Sequence, residues 1–134
     1  MTQEEWKKVE NKLSYPFGGV KLRIDGHVID VMVEKEGPKS LKYVLAVYVD
    51  RYIKSEWITN DCEIRRKFYY KRTKSLLTKD FRKSSVFKRM KKKEQEEWIK
   101  KHSYEYYSPY FSSFKTLKAH LTKNNDSIEL VDSI

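Results

Sequence analysis

Hydrophobic positions along the chain follow two different periods. Val20, Leu22 and Ile24 alternate with Lys21 and Arg23, the pattern of a strand with one buried face. Asp25-Gly26 comes next, a pair suited to the two central positions of a type I′ turn, and residues 27–33 resume in valine and isoleucine. Pairing across that turn sets Ile24 opposite His27, Leu22 opposite Ile29 and Val20 opposite Val31, all on one face with Val33. Glu36-Gly37-Pro38-Lys39 reads as a second turn. Residues 41–49 form a third strand, with Leu41, Tyr43, Leu45, Val47 and Val49 on one face and Val44, Ala46 and Tyr48 on the other, which places it centrally. Asp50-Arg51 then turns the chain into a fourth strand over 52–58. These elements predict a four-stranded antiparallel meander.

Elsewhere the period is that of a helix. Thr2-Gln3-Glu4-Glu5 is a capping-box pattern, and Trp6, Val9 and Leu13 recur at helical spacing before Pro16 stops the run. Asn60-Asp61-Cys62-Glu63 has the form of a second capping box, followed by Ile64 and Phe68 on a helix running to Leu77. Thr78 or Ser84 caps a further helix through Phe87, Met90, Glu94 and Trp98, ending near His102. Residues 104–107 are aromatic but too irregular to assign. Ser108-Pro109 reads as N-cap and first helical position, with Phe111, Phe114, Leu117 and Leu121 as the apolar stripe. Asn124-Asn125 ends that helix, and Ile128, Leu130 and Val131 suggest a short final strand. The expected fold is α+β: the meander, one N-terminal helix, two to three C-terminal helices and a possible C-terminal strand.

Composition adds limits to this picture. At 134 residues, with 14% aromatics and 39% hydrophobic positions, the chain fits a single domain, residues 1–134, with a core of useful size. One cysteine, Cys62, excludes a disulfide framework. No run approaches the roughly 18 apolar residues of a membrane span, and the mixed-charge start is unlike a signal peptide. A cytoplasmic protein with no membrane partner is expected.

Charge changes the picture most. Residues 65–101 hold 16 Lys/Arg against four acids, a local +12, while the rest carries 13 basic and 15 acidic residues, a sum of −2. A strongly basic helical segment, 61–102, therefore sits on a nearly neutral scaffold, and such a surface attracts polyanions.

Catalytic constellations are mostly missing. Glu-x-Lys, wanted on a strand by one common class of Mg-dependent nuclease, occurs only at Glu5-Trp6-Lys7 and Glu10-Asn11-Lys12, in the first helix. No phosphate-cradling glycine loop is present. His27, His102 and His120 lack metal-ligand spacing and read as surface or core-edge side chains. Cys62, in the first turn of a helix, reads as a small buried thiol. No enzyme activity, cofactor, metal or small-molecule substrate is expected.

The basic stretch supplies the candidate site. On one helix, Arg65, Arg66, Tyr69 and Arg72 share a broad face opposite Ile64 and Phe68, with arginine forks matched to phosphate and a tyrosine ring for stacking on a base. Lys71, Lys74, Arg82, Lys83, Lys88 and Arg89 extend the field. Against this stands the plainer reading of a solvated helical surface. Lys91-Lys92-Lys93 is followed at once by Glu94, Glu96 and Glu97, so that portion pairs with itself. Tyr104, Tyr106, Tyr107, Tyr110 and Phe111 form a second cluster, read first as packing of the last helix on the sheet and second as an exposed recognition surface.

Several stretches carry a resemblance. Trp6-Lys7-Lys8-Val9, Leu13-Ser14-Tyr15-Pro16-Phe17-Gly18, Tyr48-Val49-Asp50 with Ile53-Lys54-Ser55-Glu56-Trp57, and the closing segment 114–121 with Asn125-Asp126-Ser127-Ile128-Glu129-Leu130 resemble small proteins carried by phages and prophages of gut bacteria. Some proteins of this kind are anti-CRISPR inhibitors. The resemblance implies a phage-encoded, non-enzymatic inhibitor whose partner is a CRISPR effector nuclease or its guide RNA complex, and it assigns no site residue. Because this chain is basic, contact with guide RNA or an acidic protein surface is expected, rather than DNA mimicry. The other open class is a general nucleic-acid-binding accessory protein of a phage or mobile element.

Overall fold

The structure, a computed structural model, describes residues 1–131. Its backbone forms two compact units: residues 1–70 with the chain from 107 onward, and Lys71–Tyr106.

The first unit is built on a five-stranded antiparallel sheet. Helix α1 (Gln3–Lys12) opens the chain. Its capping box is complete: Thr2 Oγ1 accepts from the Glu5 amide at 3.1 Å, and the Glu5 carboxylate accepts from the Thr2 amide at 3.2 Å. Strands β1 (Gly19–Ile24) and β2 (His27–Lys35) pair in the expected register, Ile24 with His27, Leu22 with Ile29 and Val20 with Val31. The turn between them uses positive φ at both centres, 45° for Asp25 and 85° for Gly26. β3 (Tyr43–Val49) lies beside β2.

The fourth meander strand does not form. Asp50 and Arg51 do turn the chain, with φ of 49° and 75°, but Tyr52 bridges straight back to Val49. Ser55–Thr59 is then a short helix, α2, because Trp57 and Ile58 reach the core from one helical turn. The helix expected through Leu77 is also shorter: α3 spans Glu63–Phe68, and β4 is Tyr70–Ser75. Beyond Ile64 and Phe68 the next helical core positions are Lys71, Arg72 and Ser75, so a continued helix has no apolar stripe to bury. Ser108-Pro109 starts no helix either. β5 (Ser103–Ser108) and β6 (Tyr110–Phe111) occupy this region, and α7 (Phe114–Asn124) is capped by Ser113, whose Oγ accepts from Thr116.

The sheet order is β6-β3-β2-β1-β7, so β3 is an interior strand, as expected, with β2 in the middle. The expected C-terminal strand is β7 (Ile128–Val131), paired with β1 through Ile24–Ile128 and Leu22–Leu130. One face of the sheet carries Val20, Leu22, Ile24, Ile29, Val31, Val33, Leu45, Val47, Val49 and Phe111, buried with Trp6, Val9, Phe68, Tyr69, Leu117 and Leu121 from the helical side. This is the α+β arrangement of helices on one sheet face. Asp25 ties the hairpin to the chain end: its carboxylate accepts from the Ser127 amide at 2.8 Å, the Asp126 amide at 3.2 Å and Lys67 Nζ at 3.3 Å. Those amides, Ser127 first, hold the carboxyl below its ordinary range.

The second unit holds α4 (Lys79–Lys83), α5 (Ser85–Arg89), α6 (Lys92–Lys101) and nearly all of a two-stranded sheet, β4 with β5. The single helix expected to run through Phe87, Met90, Glu94 and Trp98 is broken into these three helices. Thr78 and Ser84, the alternative caps, each start one: Thr78 accepts from Phe81, and Ser84 accepts from Phe87. Phe81 sits 5.7 Å from Phe87 and 6.0 Å from Trp98, ring centre to ring centre, and Trp98 sits 4.4 Å from His102. No helix among the described residues is long and apolar enough to cross a membrane.

Candidate functional site

The candidate residues divide between the two units. Arg65, Arg66 and Tyr69 belong to the first; Lys71, Arg72, Lys74, Arg82, Lys83, Lys88 and Arg89 belong to the second. The single helical face expected for Arg65, Arg66, Tyr69 and Arg72 does not exist, because α3 ends at Phe68 and Arg72 lies on β4.

Tyr69 is corrected most sharply. Its side chain is 0% exposed and packs edge-on against Trp57, 6.4 Å between ring centres. Burial pushes its phenol up to about 12, with the Cys62 thiol adding to the shift and the Lys54 backbone opposing it. Among the described residues the hydroxyl closes no hydrogen bond of good geometry, although the Lys54 backbone lies close enough to act on it. A ring held this way is a core element and is not available to a base.

Arg65 and Arg66 are already engaged. Arg66 spans both oxygens of Asp61, each at 2.9 Å, and this fork, first among the causes, holds the Asp61 carboxyl below its usual range. Arg65 is only 18% exposed; it reaches Asp61 at 3.4 Å and the Ile58 carbonyl at 3.3 Å, and its guanidinium lies 4.3 Å from the Tyr107 ring centre. Asp61 thus serves as an anchor for two arginines, not as part of a capping box. Cys62 is the N-cap of α3, half-buried and without a side-chain capping bond.

In the second unit the cations are more available. Lys71 pairs with Glu105 at 2.9 Å, and Arg72 is half-buried. Lys74, Arg82, Lys83, Lys88 and Arg89 are exposed and form no ion pair among the described residues. Arg82 and Lys83 stand in the last turn of α4, and Lys88 and Arg89 in that of α5. Cations there also complement the negative end of a helix, worth a few tenths of a kcal/mol each at exposed positions. The unit carries 13 Lys/Arg against five Asp/Glu, a net +8 of the chain's +10. The positive field is thus a property of Lys71–Tyr106.

No family model, curated protein or solved structure matches this chain. Among the described residues, no group of three or more His, Cys, Asp or Glu side chains is placed to hold a metal ion.

The histidines take different places. His27 Nδ1 lies 2.9 Å from Asp50 Oδ2, and His102 Nδ1 lies 2.9 Å from the Trp98 carbonyl. His120, on α7, packs 5.6 Å from the Phe111 ring, and its buried Nε2 closes no hydrogen bond of good geometry among the described residues. Desolvation holds its pKa below the ordinary value, with the Arg66 carbonyl opposing and Lys123 adding to the shift. The folded pKa is therefore below the unfolded one, so the unfolded chain binds more protons as pH falls through about 6.5. Stability from His120 is present above that value and is lost below it. The melting temperature of wild-type protein is expected to fall between about pH 7 and pH 5 more steeply than that of His120→Phe. Equal slopes in the two would show that His120 does not bind its proton preferentially in the unfolded state.

Tyr104 and Tyr106, in a stretch that the sequence does not assign and a cluster that it reads first as packing and second as a recognition surface, lie on β5. They alternate along β5 with Glu105 and are 44% and 37% exposed. The period of two in Tyr104-Glu105-Tyr106 was the available signal for a strand.

Proposed function

We propose that this protein is a non-enzymatic nucleic-acid-binding protein whose contact region is the Lys71–Tyr106 unit. The observation that carries this reading is the concentration of net charge, +8 of +10, in that unit, with Lys74, Arg82, Lys83, Lys88 and Arg89 exposed and in no ion pair among the described residues. Cations in that state exchange counterions for phosphates, and released counterions drive binding. Arg65 and Arg66 have a smaller part, since Asp61 neutralises much of their field.

The test is a fourfold substitution, Arg82→Gln, Lys83→Gln, Lys88→Gln and Arg89→Gln, with affinity for DNA and RNA measured across a salt series. Glutamine keeps exposed helix positions stable. Affinity is expected to fall about 10-fold or more at low salt, and the slope of log affinity against log salt to flatten by roughly 3. Unchanged affinity and slope would make the basic unit a solubility device.

In the form suggested by the phage-protein resemblance, the nucleic acid is the guide RNA of a CRISPR effector nuclease, and the protein is an inhibitor of that complex. In the accessory form it is bare polymer. Tight, steeply salt-dependent binding to bare DNA or RNA favours the accessory form; capture of a guide-loaded effector without binding to bare polymer favours inhibition.

A further inference from the structure

The two-stranded sheet of the basic unit has two unlike faces. Side chains alternate along a strand, and the Lys71–Glu105 ion pair at 2.9 Å marks one face. Thr73, Ser103 and Glu105 on that face line a cavity with Glu96, Ile99 and Lys100 of α6. Alternation then assigns Arg72 and Lys74 of β4, with Tyr104 and Tyr106 of β5, to the other face.

The tyrosines on that face do not serve the core. The aromatic centre of the unit is made by Phe81, Phe87 and Trp98, while Tyr104 and Tyr106 are 44% and 37% exposed, with ring centres 6.1 Å apart and planes tilted by 44°. Two exposed rings at alternate strand positions, with the exposed Lys74 on the same face in a unit of net +8, form an aromatic surface in a positive field.

We infer that this face is a stacking platform for an unpaired stretch of nucleic acid, an inference that rests on the polyanion reading of the Lys71–Tyr106 unit and deepens it. Each ring offers a π surface to one base, and the exposed Lys74 supplies positive charge for the intervening phosphates. A duplex keeps its base faces inside its own stack and has none to offer such rings, except at its ends. The charge selects a polyanion, and the exposed rings select its single-stranded form.

The test compares a mixed-sequence oligonucleotide of roughly 12 nucleotides, as single-stranded DNA and as single-stranded RNA, with the same sequence as duplex DNA. Tyr104→Thr with Tyr106→Thr removes both rings and keeps strand propensity; Tyr104→Phe with Tyr106→Phe keeps both rings. The threonine variant is expected to lose about 10- to 100-fold in single-strand affinity while duplex affinity stays within about 2-fold, and the phenylalanine variant should keep both. Ultraviolet cross-linking of the wild-type complex should attach the strand to Tyr104 or Tyr106, a result that does not depend on the variants folding. The DNA and RNA arms identify the preferred sugar.

Single-strand affinity retained by the threonine variant would overturn the inference, as would an equal loss for duplex, or cross-links confined to other residues. If the fourfold glutamine variant loses binding and the threonine variant does not, the platform falls and the basic unit stands. If wild-type protein binds neither form, the polyanion reading fails and the platform with it.

Discussion

Asp25→Pro combined with Gly26→Val is expected to lower the melting temperature by about 10 °C or more. Both positions hold positive φ, 45° and 85°, which proline cannot adopt and valine adopts only under strain. Proline also removes the Asp25 amide that donates to the Ser127 carbonyl at 3.1 Å. Loss of the carboxylate frees the Asp126 and Ser127 amides and Lys67. The damage therefore reaches beyond one turn, because the same residue joins the β1–β2 hairpin to the segment that leads into β7. A milder control is Asp25→Asn, which tolerates the backbone conformation but gives up the charge; its melting temperature should lie between those of wild type and the double variant. Thermal melts followed by circular dichroism decide the matter, and an unchanged melt for the double variant would show that neither the turn nor the clasp contributes to stability.

Tyr69 offers the second large effect, with two substitutions pointing in different directions. Tyr69→Ala empties a fully buried site beside Trp57 and should cost about 3–5 kcal/mol, the range for truncating a buried aromatic. Tyr69→Phe keeps the ring and deletes a buried hydroxyl that closes no hydrogen bond of good geometry among the described residues, so it should leave stability within about 1 kcal/mol or raise it. Denaturant unfolding of both variants separates a core role from a binding role. If Tyr69 instead faced a nucleic acid, the alanine variant would fold normally and lose only affinity.

The candidate site was legible in part. The excess of cations is a property of composition and was visible from the sequence, as was its confinement to one stretch of chain. The individual roles were not. Arg65 and Arg66 belong to the same basic run as Arg82 and Lys83, yet Asp61 engages the first pair and, among the described residues, no acid engages the second. Tyr69 and Tyr104 are the same residue type in similarly basic surroundings, yet one is buried in a core and the other stands on an open strand face. Such differences depend on which elements pack over a residue, and local pattern does not carry that information.

By itself, the sequence determined the features that close within a few residues. The Thr2–Glu5 capping box, the Asp25-Gly26 turn with its register, and the caps at Thr78 and Ser84 all form as local chemistry dictates, because their hydrogen bonds and backbone angles are satisfied by near neighbours. The alternation of Val20, Leu22 and Ile24 fixed the buried face in the same way. Tertiary structure decided what stands at the sheet edges. Beside β3 the place expected for residues 52–58 goes to Tyr110–Phe111, and β7 takes the other edge beside β1. It also decided that Tyr70–Ser75 is a strand, paired with one about 30 residues later. A strand's edge groups must find partners wherever the chain can supply them, and a polar segment such as Lys71-Arg72-Thr73-Lys74 has no hydrophobic period to announce its choice in advance.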